Sequence, residues 1–490
     1  VSYLELTRMA GAEVILAIAA LVTLFFDLYV FRNQPLGTRR GFAAALSVIG
    51  CVAGLVFVHL LGSDGSSLGG MLVLDSLTRI AKMCVLGIAA FAILMAADSD
   101  ASPHVGEFFA LMLTAVIGMS LMVSSENLLM MFVALELASL SLYILVGFDK
   151  RCAKSSESAL KYFLFGGMSA AFMLFGLSLL YGLSGSLELD AIAKSLQHQG
   201  ADPLSLAALV MVLIGFGFKV AVVPFHLWAP DAYEGAPTSS AALVAAGSKV
   251  AAFFLMAKFV MMAFPASYGS GGWRAFEPGW APAVAALAAL SMILGNLGAL
   301  AQRSVKRLLA YSAIANAGYA MLGILGNSGQ GVAAILFFAA TYAAATLGAF
   351  GVVAAVERSR GGDKLSDFAG LHKDAPWLAF FMLIFLLSLA GIPPLAGFFA
   401  KFYLFAAAVN GGQDLGLMWL VIVAVVMSSV SLYYYLQPLK QIYVVEKPAG
   451  TGPCNSTFAT WVALFGLAAA VIAFGCAPDL LVDCLTGAKH

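Results

Sequence analysis

Fourteen long apolar runs divide this chain, at about residues 10–30, 42–62, 72–96, 107–123, 127–147, 158–182, 204–228, 240–263, 281–300, 306–325, 330–354, 377–406, 416–443 and 459–477. A helix needs about 20 apolar residues to cross the hydrocarbon core of a bilayer, so each run is a candidate span. Hydrophobic residues make up 62% of the 490 and charged residues only 11%, more apolar surface than a chain of this size hides from water. The longest connections, near 183–203, 264–280 and 357–376, leave no room for a separate soluble domain. The first run continues into Phe25–Tyr29 without a small-residue cleavage site and reads as a retained helix rather than a signal peptide. The expectation is an all-α integral membrane protein of about fourteen transmembrane helices, with the lipid bilayer as its first partner.

The basic residues set its orientation. Arg32, Arg39, Arg40, Lys150, Arg151, Lys154, Arg303, Lys306, Arg307, Arg358, Arg360, Lys364, Lys373, Lys440 and Lys447 all fall in or beside odd-numbered loops. The opposite side has Arg8, Lys194, Arg274 and Lys489. Basic loops stay in the cytoplasm, so both termini are expected on the non-cytoplasmic side of a cell membrane, here read as a bacterial inner membrane. One missed span would scramble this asymmetry.

Two helices carry prolines inside their apolar runs. Helix 7 reads GFGFKVAVVPFHLWAPDAYEGAP, with Pro224, and helix 12 reads LSLAGIPPLAGFFAKFYLF, with Pro393 and Pro394. A proline has no N–H and frees the carbonyl four residues back, here at Val220, Leu389 and Ala390. Such backbone is tolerated at membrane depth only inside protein or along a watery cavity. Paired broken helices mark inverted-repeat transporters. The division is then residues 1–105 (helices 1–3), 106–265 (first repeat, helices 4–8), 266–445 (second repeat, helices 9–13) and 446–490 (helix 14), two inverted five-helix repeats each with a broken helix.

Few ionisable groups lie deep within the spans. They are Glu136 in helix 5, Lys219 in helix 7, Lys249 in helix 8 and Lys401 after the break of helix 12. A charge at the helix centre costs about 2.5–3.5 kcal/mol even on the lenient insertion scale, so a fold keeps such groups when they pair or when water reaches them. Glu136 also admits a purely structural reading, as a clamp on one lysine. Lys161 and Lys258 lie near helix ends, where long side chains reach the interface; Lys161 is kept as a further candidate. Lys82, Arg79, Asp27 and Glu107 are expected at the interface. An ammonium taken out of water gives up its proton more readily, and a nearby carboxylate holds it back. Three central lysines with one central glutamate are therefore the material of a proton relay.

Other chemistries find little support. Lys plus Arg equals Asp plus Glu at 26 each, which gives no reason to expect nucleic acid. The six cysteines form no C-x-x-C pair, and neither G-x-G-x-x-G nor a P-loop is present, so no iron–sulfur, zinc or nucleotide site is expected. His59 and His226 stand alone in different helices.

The helix 7 segment, LELASL around Glu136, the G-S-K of helix 8 and GIPPLAGFFAKF resemble the antiporter-like membrane subunits of respiratory complex I. The resemblance covers roughly residues 70–445 and is most specific in helix 7. Within the family it points to the subunit N branch of the bacterial NADH:quinone oxidoreductases, because the chain has no room for the extra C-terminal and lateral helices of subunit L. Subunit M has a glutamate where Lys401 stands. By this resemblance, Glu136 and Lys219 are the pair between helices 5 and 7, Lys249 is the central relay, and Lys401 hands protons toward the far side. The resemblance also implies other complex I membrane subunits as partners, protons as cargo, and no cofactor in this chain. The multisubunit cation/proton antiporters are the alternative family.

Overall fold

The chain, described by a computed structural model, is defined over residues 8–61, 65–67, 69–100, 102–199, 203–273, 276–411, 415–447, 454 and 456–487. Arg274 and Lys489 lie outside the described residues. Among those described, 13 helices are long and apolar enough to cross a membrane, and a broken helix supplies the fourteenth. They are α1 (Gly11–Val30), α2 (Leu36–Leu60), α3 (Ser76–Ala96), α4 (Val105–Ser124), α5 (Leu128–Val146), α6 (Ala153–Ser184), α7a (Pro203–Val220), α8 (Thr238–Ala263), α9 (Trp280–Leu300), α10 (Val305–Leu325), α11 (Gly329–Arg360), α13 (Met418–Tyr443) and α14 (Phe458–Cys476). The broken helix is α12a (Pro376–Ala390) with α12b (Ala396–Gly411). A short α7b (Trp228–Gly235) follows the break of helix 7. The helical part of that span thus stops at Val220, where the apolar run continues to 228.

Packing repeats itself five helices on. α4 lies against α5 and α8 as α9 lies against α10 and α13, and α6 lies against α7a as α11 lies against both halves of α12. The ends repeat too. Asn127 caps α5 by accepting from Leu129 N and Met130 N, and Ser304 caps α10 by accepting from Arg307 N, each meeting an orphan donor of a first turn. Asn127 bridges to Glu188 just beyond α6, and Ser304 bridges to Lys364 just beyond α11. Those two long helices both end on a left-handed glycine, Gly185 (φ 66°) and Gly361 (φ 77°), a conformation that a Cβ disfavours. Five is odd, so the matching ends lie on opposite faces of the bundle. Both breaks contain a cis X–Pro peptide.

The centre of the bundle is α8, α10 and α11, whose apolar windows are about nine-tenths buried, whereas α6 and α13 are buried over only a third. Small residues make that centre possible: α10 carries AYSAIANAGYA and α11 carries AAATLGAFG, which let backbones approach closely in lipid. The connections also hold a helix at Leu189–Gln199, a hairpin of Gly65–Ser67 with Leu72–Leu74, and a terminal helix at Asp479–Gly487 resting on α11.

Candidate functional site

Each of the three central lysines stands at a helix interruption. Lys219 is the penultimate residue of α7a and is 1% exposed. Its ammonium donates to Ser139 Oγ at 2.8 Å. Glu136 is half-buried, one turn before Ser139 on α5, and among the described residues forms no ion pair with Lys219 in this conformation. The break beside Lys219 is satisfied by its neighbours: Trp228 Nε1 donates to Phe218 O at 3.0 Å, and Val223 N donates to Ser291 Oγ on α9 at 3.0 Å.

Lys249 sits just past an interruption at Ala246, which divides α8 into Thr238–Ala245 and Gly247–Ala263. That interruption carries no proline, and the sequence reading omits it. Its signal is the Gly247–Ser248 pair, a composition at which helices kink. The ammonium of Lys249 donates to Ala313 O on α10 at 2.7 Å and lies 5.9 Å from the ring centre of Tyr342 on α11.

Lys401, on α12b, reaches back across its own break. It donates to Ala390 O at 3.1 Å, one of the carbonyls that the paired prolines free, and to Ser428 Oγ on α13 at 2.9 Å. The ring of Tyr319 lies under it at 5.1 Å, within cation–π range. None of the three lysines has a carboxylate at ion-pair distance among the described residues.

A network of tyrosines and amides reaches Lys401 through the ring of Tyr319. Asn316 donates to Ser312 O at 2.9 Å and Tyr435 OH at 3.3 Å, and Ser312 bonds the same tyrosine. Tyr435 and Tyr434 lie with ring centres 4.5 Å apart. Tyr434 OH donates to Asn296 Oδ1 at 3.0 Å, and Asn296 donates to Tyr319 OH at 3.2 Å. A cavity of ≈ 10 Å³ bounded by Asn316, Tyr342, Ser388 and Lys401 holds about one water centre. The resemblance implies a tyrosine- and water-rich central axis but assigns none of these residues to it, because a tyrosine or asparagine in an apolar helix shows its partners only once the helices are packed.

Other charges stand apart from these three lysines. Lys161 is 42% exposed and held by Glu157 at 2.7 Å and Asp231 at 2.8 Å. Arg307 binds Asp231 at 2.7 Å and Glu234 at 2.9 Å, so Lys161 belongs to an ion network at the basic-loop end of α6, α7b and α10. Lys258 does not reach outward. It is buried, with Glu126 at 2.7 Å and Thr78 at 3.1 Å. Lys82 is also sealed inside, at 1% exposure, with Glu13 at 2.8 Å, whose same oxygen accepts from Ser120 at 2.6 Å. A carboxylate on α1 answers it, and two separate runs give no sign of such pairing. Asp27 is buried as well, under Arg39 and Gly106 N. No group of three or more His, Cys, Asp or Glu is placed to hold a metal among the described residues.

Comparison with known proteins converges on one group. The transmembrane family described as NADH:quinone oxidoreductase/Mrp antiporter matches residues 125–429, more than half of the chain. The chain is 48% identical to an NADH-quinone oxidoreductase subunit N 2 of Acidobacterium capsulatum, over 98% of this chain and 99% of that protein. It is 38% identical to an NADH-quinone oxidoreductase subunit N of Desulforamulus reducens, over 96% and 95%. A chain of respiratory complex I from Thermus thermophilus with bound Aureothin matches with a TM-score of 0.80 at 33% identity, covering 97% of this chain and 99% of that one. A chain of the Mrp complex from Dietzia reaches a TM-score of 0.82 at 20% identity, over 98% and 96%. That last likeness is one of fold alone.

Proposed function

This chain belongs to the NADH:quinone oxidoreductase/Mrp antiporter family of membrane subunits, and from that premise we propose that it is a proton-translocating subunit of NADH:quinone oxidoreductase. Glu136, Lys219, Lys249 and Lys401 form its relay, and quinone reduction elsewhere in the complex drives it. It works beside other complex I membrane subunits in a bacterial cell membrane, with both termini on the non-cytoplasmic side. The redox centres belong to other subunits, and this chain holds no cofactor.

One observation carries the relay. Three ammonium groups are buried at three helix interruptions, each held by a hydroxyl or a main-chain carbonyl in place of a counter-ion. A structural staple is built the other way, as Lys82 with Glu13 is, because an unpaired buried charge is costly. Neutral partners leave a lysine free to lose and regain its proton as the charge beside it changes. At the α12 break the freed carbonyl of Ala390 is itself the partner of the Lys401 ammonium, and broken backbone at membrane depth is tolerated inside protein or along a watery cavity.

The test is Lys249→Ala in the assembled, reconstituted complex. Proton yield per NADH should collapse while the amount of complex stays near normal; undiminished yield overturns the relay. The antiporter reading predicts co-purification with other antiporter subunits in place of quinone-reductase subunits.

A further inference from the structure

At the end of the bundle that carries the basic loops, a cavity of ≈ 430 Å³ opens between α3, α6, α8 and α11. Asp98, Lys154, Glu234 and Arg358 are among its charged walls, and Ser239, Lys306 and Glu357 also line it. Lys306 is 3% exposed, and its ammonium binds Glu357 Oε1 at 3.0 Å, Thr238 Oγ1 at 3.2 Å and Ala236 O at 3.3 Å. Thr238 donates to the other oxygen of Glu357. This knot ties α10 and α11 to the first residue of α8.

Beyond it lie polar groups that the protein leaves unanswered. Among the described residues, the hydroxyls of Ser239, Ser240 and Tyr233 are buried without a hydrogen-bond partner. A buried hydroxyl left so is costly, and ordered water is its usual partner. Ser239 touches the cavity, while Ser240 lies deeper on the same half-helix that ends at Ala246, the interruption beside Lys249. Tyr233 packs on Phe350 of α11 with ring centres 6.0 Å apart, and Tyr342, the ring under Lys249, lies two turns away on that helix. Ser239 thus stands on the cavity wall, Ser240 next to it on the half-helix that leads to Lys249, and Tyr233 against the helix that carries Tyr342.

We propose that the Lys306–Glu357 ion pair, with Thr238 on the same carboxylate, is the gate between this vestibule, where Ser239 lies, and a hydrated passage past Ser240 and Tyr233 to Lys249. The inference rests on the relay reading for its purpose but not for its geometry. Closed, the pair plugs the passage. When the pair parts, Lys306 retains Ala236 O and Glu357 turns to the vestibule, where it is already 37% exposed, and water joins the two sides. Protons then pass along the water, each hop making one O–H bond as the next breaks, with the hydroxyls holding the water in line.

The gate is tested by the reactivity of Ser240→Cys toward a small, membrane-impermeant methanethiosulfonate in the assembled complex. The background is Cys152→Ser, because that thiol lines the same vestibule. Adding Glu357→Gln should raise the rate about fivefold or more, the scale of change that follows loss of a modest ion pair, and Glu357→Asp should return most of the way. Equal rates with and without Glu357→Gln overturn the gate. Should Glu357→Gln lower the amount of assembled complex, Thr238→Val replaces it: a faster rate supports the gate, and an unchanged one overturns it. Failure of the relay reads out separately, as normal proton yield in Lys249→Ala whatever Ser240→Cys shows.

Discussion

Lys219 donates to Ser139 Oγ at 2.8 Å, while Glu136, one turn earlier on the same helix, stands off without touching it. The serine holds the ammonium in place, and the carboxylate acts on it through space. In the proposed relay, this separation would let the glutamate's charge change the lysine without any side chain letting go.

Glu136→Gln should therefore reduce proton yield while leaving the helices packed, and Glu136→Asp should keep part of it. Ser139→Ala removes a hydrogen bond to a charged group, worth ~1.5–3 kcal/mol, so coupled turnover should fall by about tenfold or more. Both are read as protons per NADH in reconstituted complex. Wild-type values in Glu136→Gln would reduce that residue to a spectator.

On the second broken helix, Lys401→Ala should lower proton yield or slow coupled turnover with assembled complex close to normal. Ser428→Ala leaves the ammonium its Ala390 carbonyl and the Tyr319 ring, and should cost less than Lys401→Ala. Normal coupling in Lys401→Ala removes it from the path and leaves the α12 break without a role.

Lys82 and Glu13 should behave oppositely. Breaking a buried pair by removing one partner costs ~3–5 kcal/mol, so Lys82→Met alone should sharply lower assembly or thermal stability. Lys82→Met combined with Glu13→Leu should recover much of it. Protons pumped per assembled complex should not change; a coupling defect in the double variant would draw this pair into the mechanism.

Orientation is open to single-cysteine labelling. Cysteines at Arg39, Lys150 and Arg303 should react from the cytoplasmic face alone, and one at the exposed Trp273 from the other. Reaction of Trp273→Cys and Arg303→Cys from one face would overturn the helix count.

Between α11 and α12a, outside the spans, Asp374 is bound by Lys447 at 2.7 Å and Arg360 at 2.9 Å. The Lys447 hydrogen bond, then Arg360, hold its carboxyl below the ordinary carboxylate range against the opposing effect of burial. A depressed carboxylate stabilises the fold above its unfolded value, about 3.9, and that contribution is lost as pH falls through the lower folded one. Limited proteolysis of this connection should be flat from neutral pH to about 4 and accelerate only below, whereas Asp374→Asn should be cut faster at neutral pH. A neutral-pH rate equal to wild type would show that the bridge does not hold the loop.

Apolar runs of bilayer length, the basic-loop asymmetry and the two proline breaks were enough to read fourteen spans, their repeat and four deep charges from the sequence alone. Each is a local property: a span needs only its own apolar residues, and a proline disrupts its own helix. The Ser139 contact, the α8 interruption, the tyrosine–asparagine axis, the sealed Lys82–Glu13 pair and the Lys306 knot needed the tertiary structure. A hydroxyl or amide in an apolar helix looks alike whether it faces lipid, a neighbour or a lysine. Ser139 donates to Leu135 O of its own helix wherever that face points; that its oxygen also receives the Lys219 ammonium is decided by packing alone.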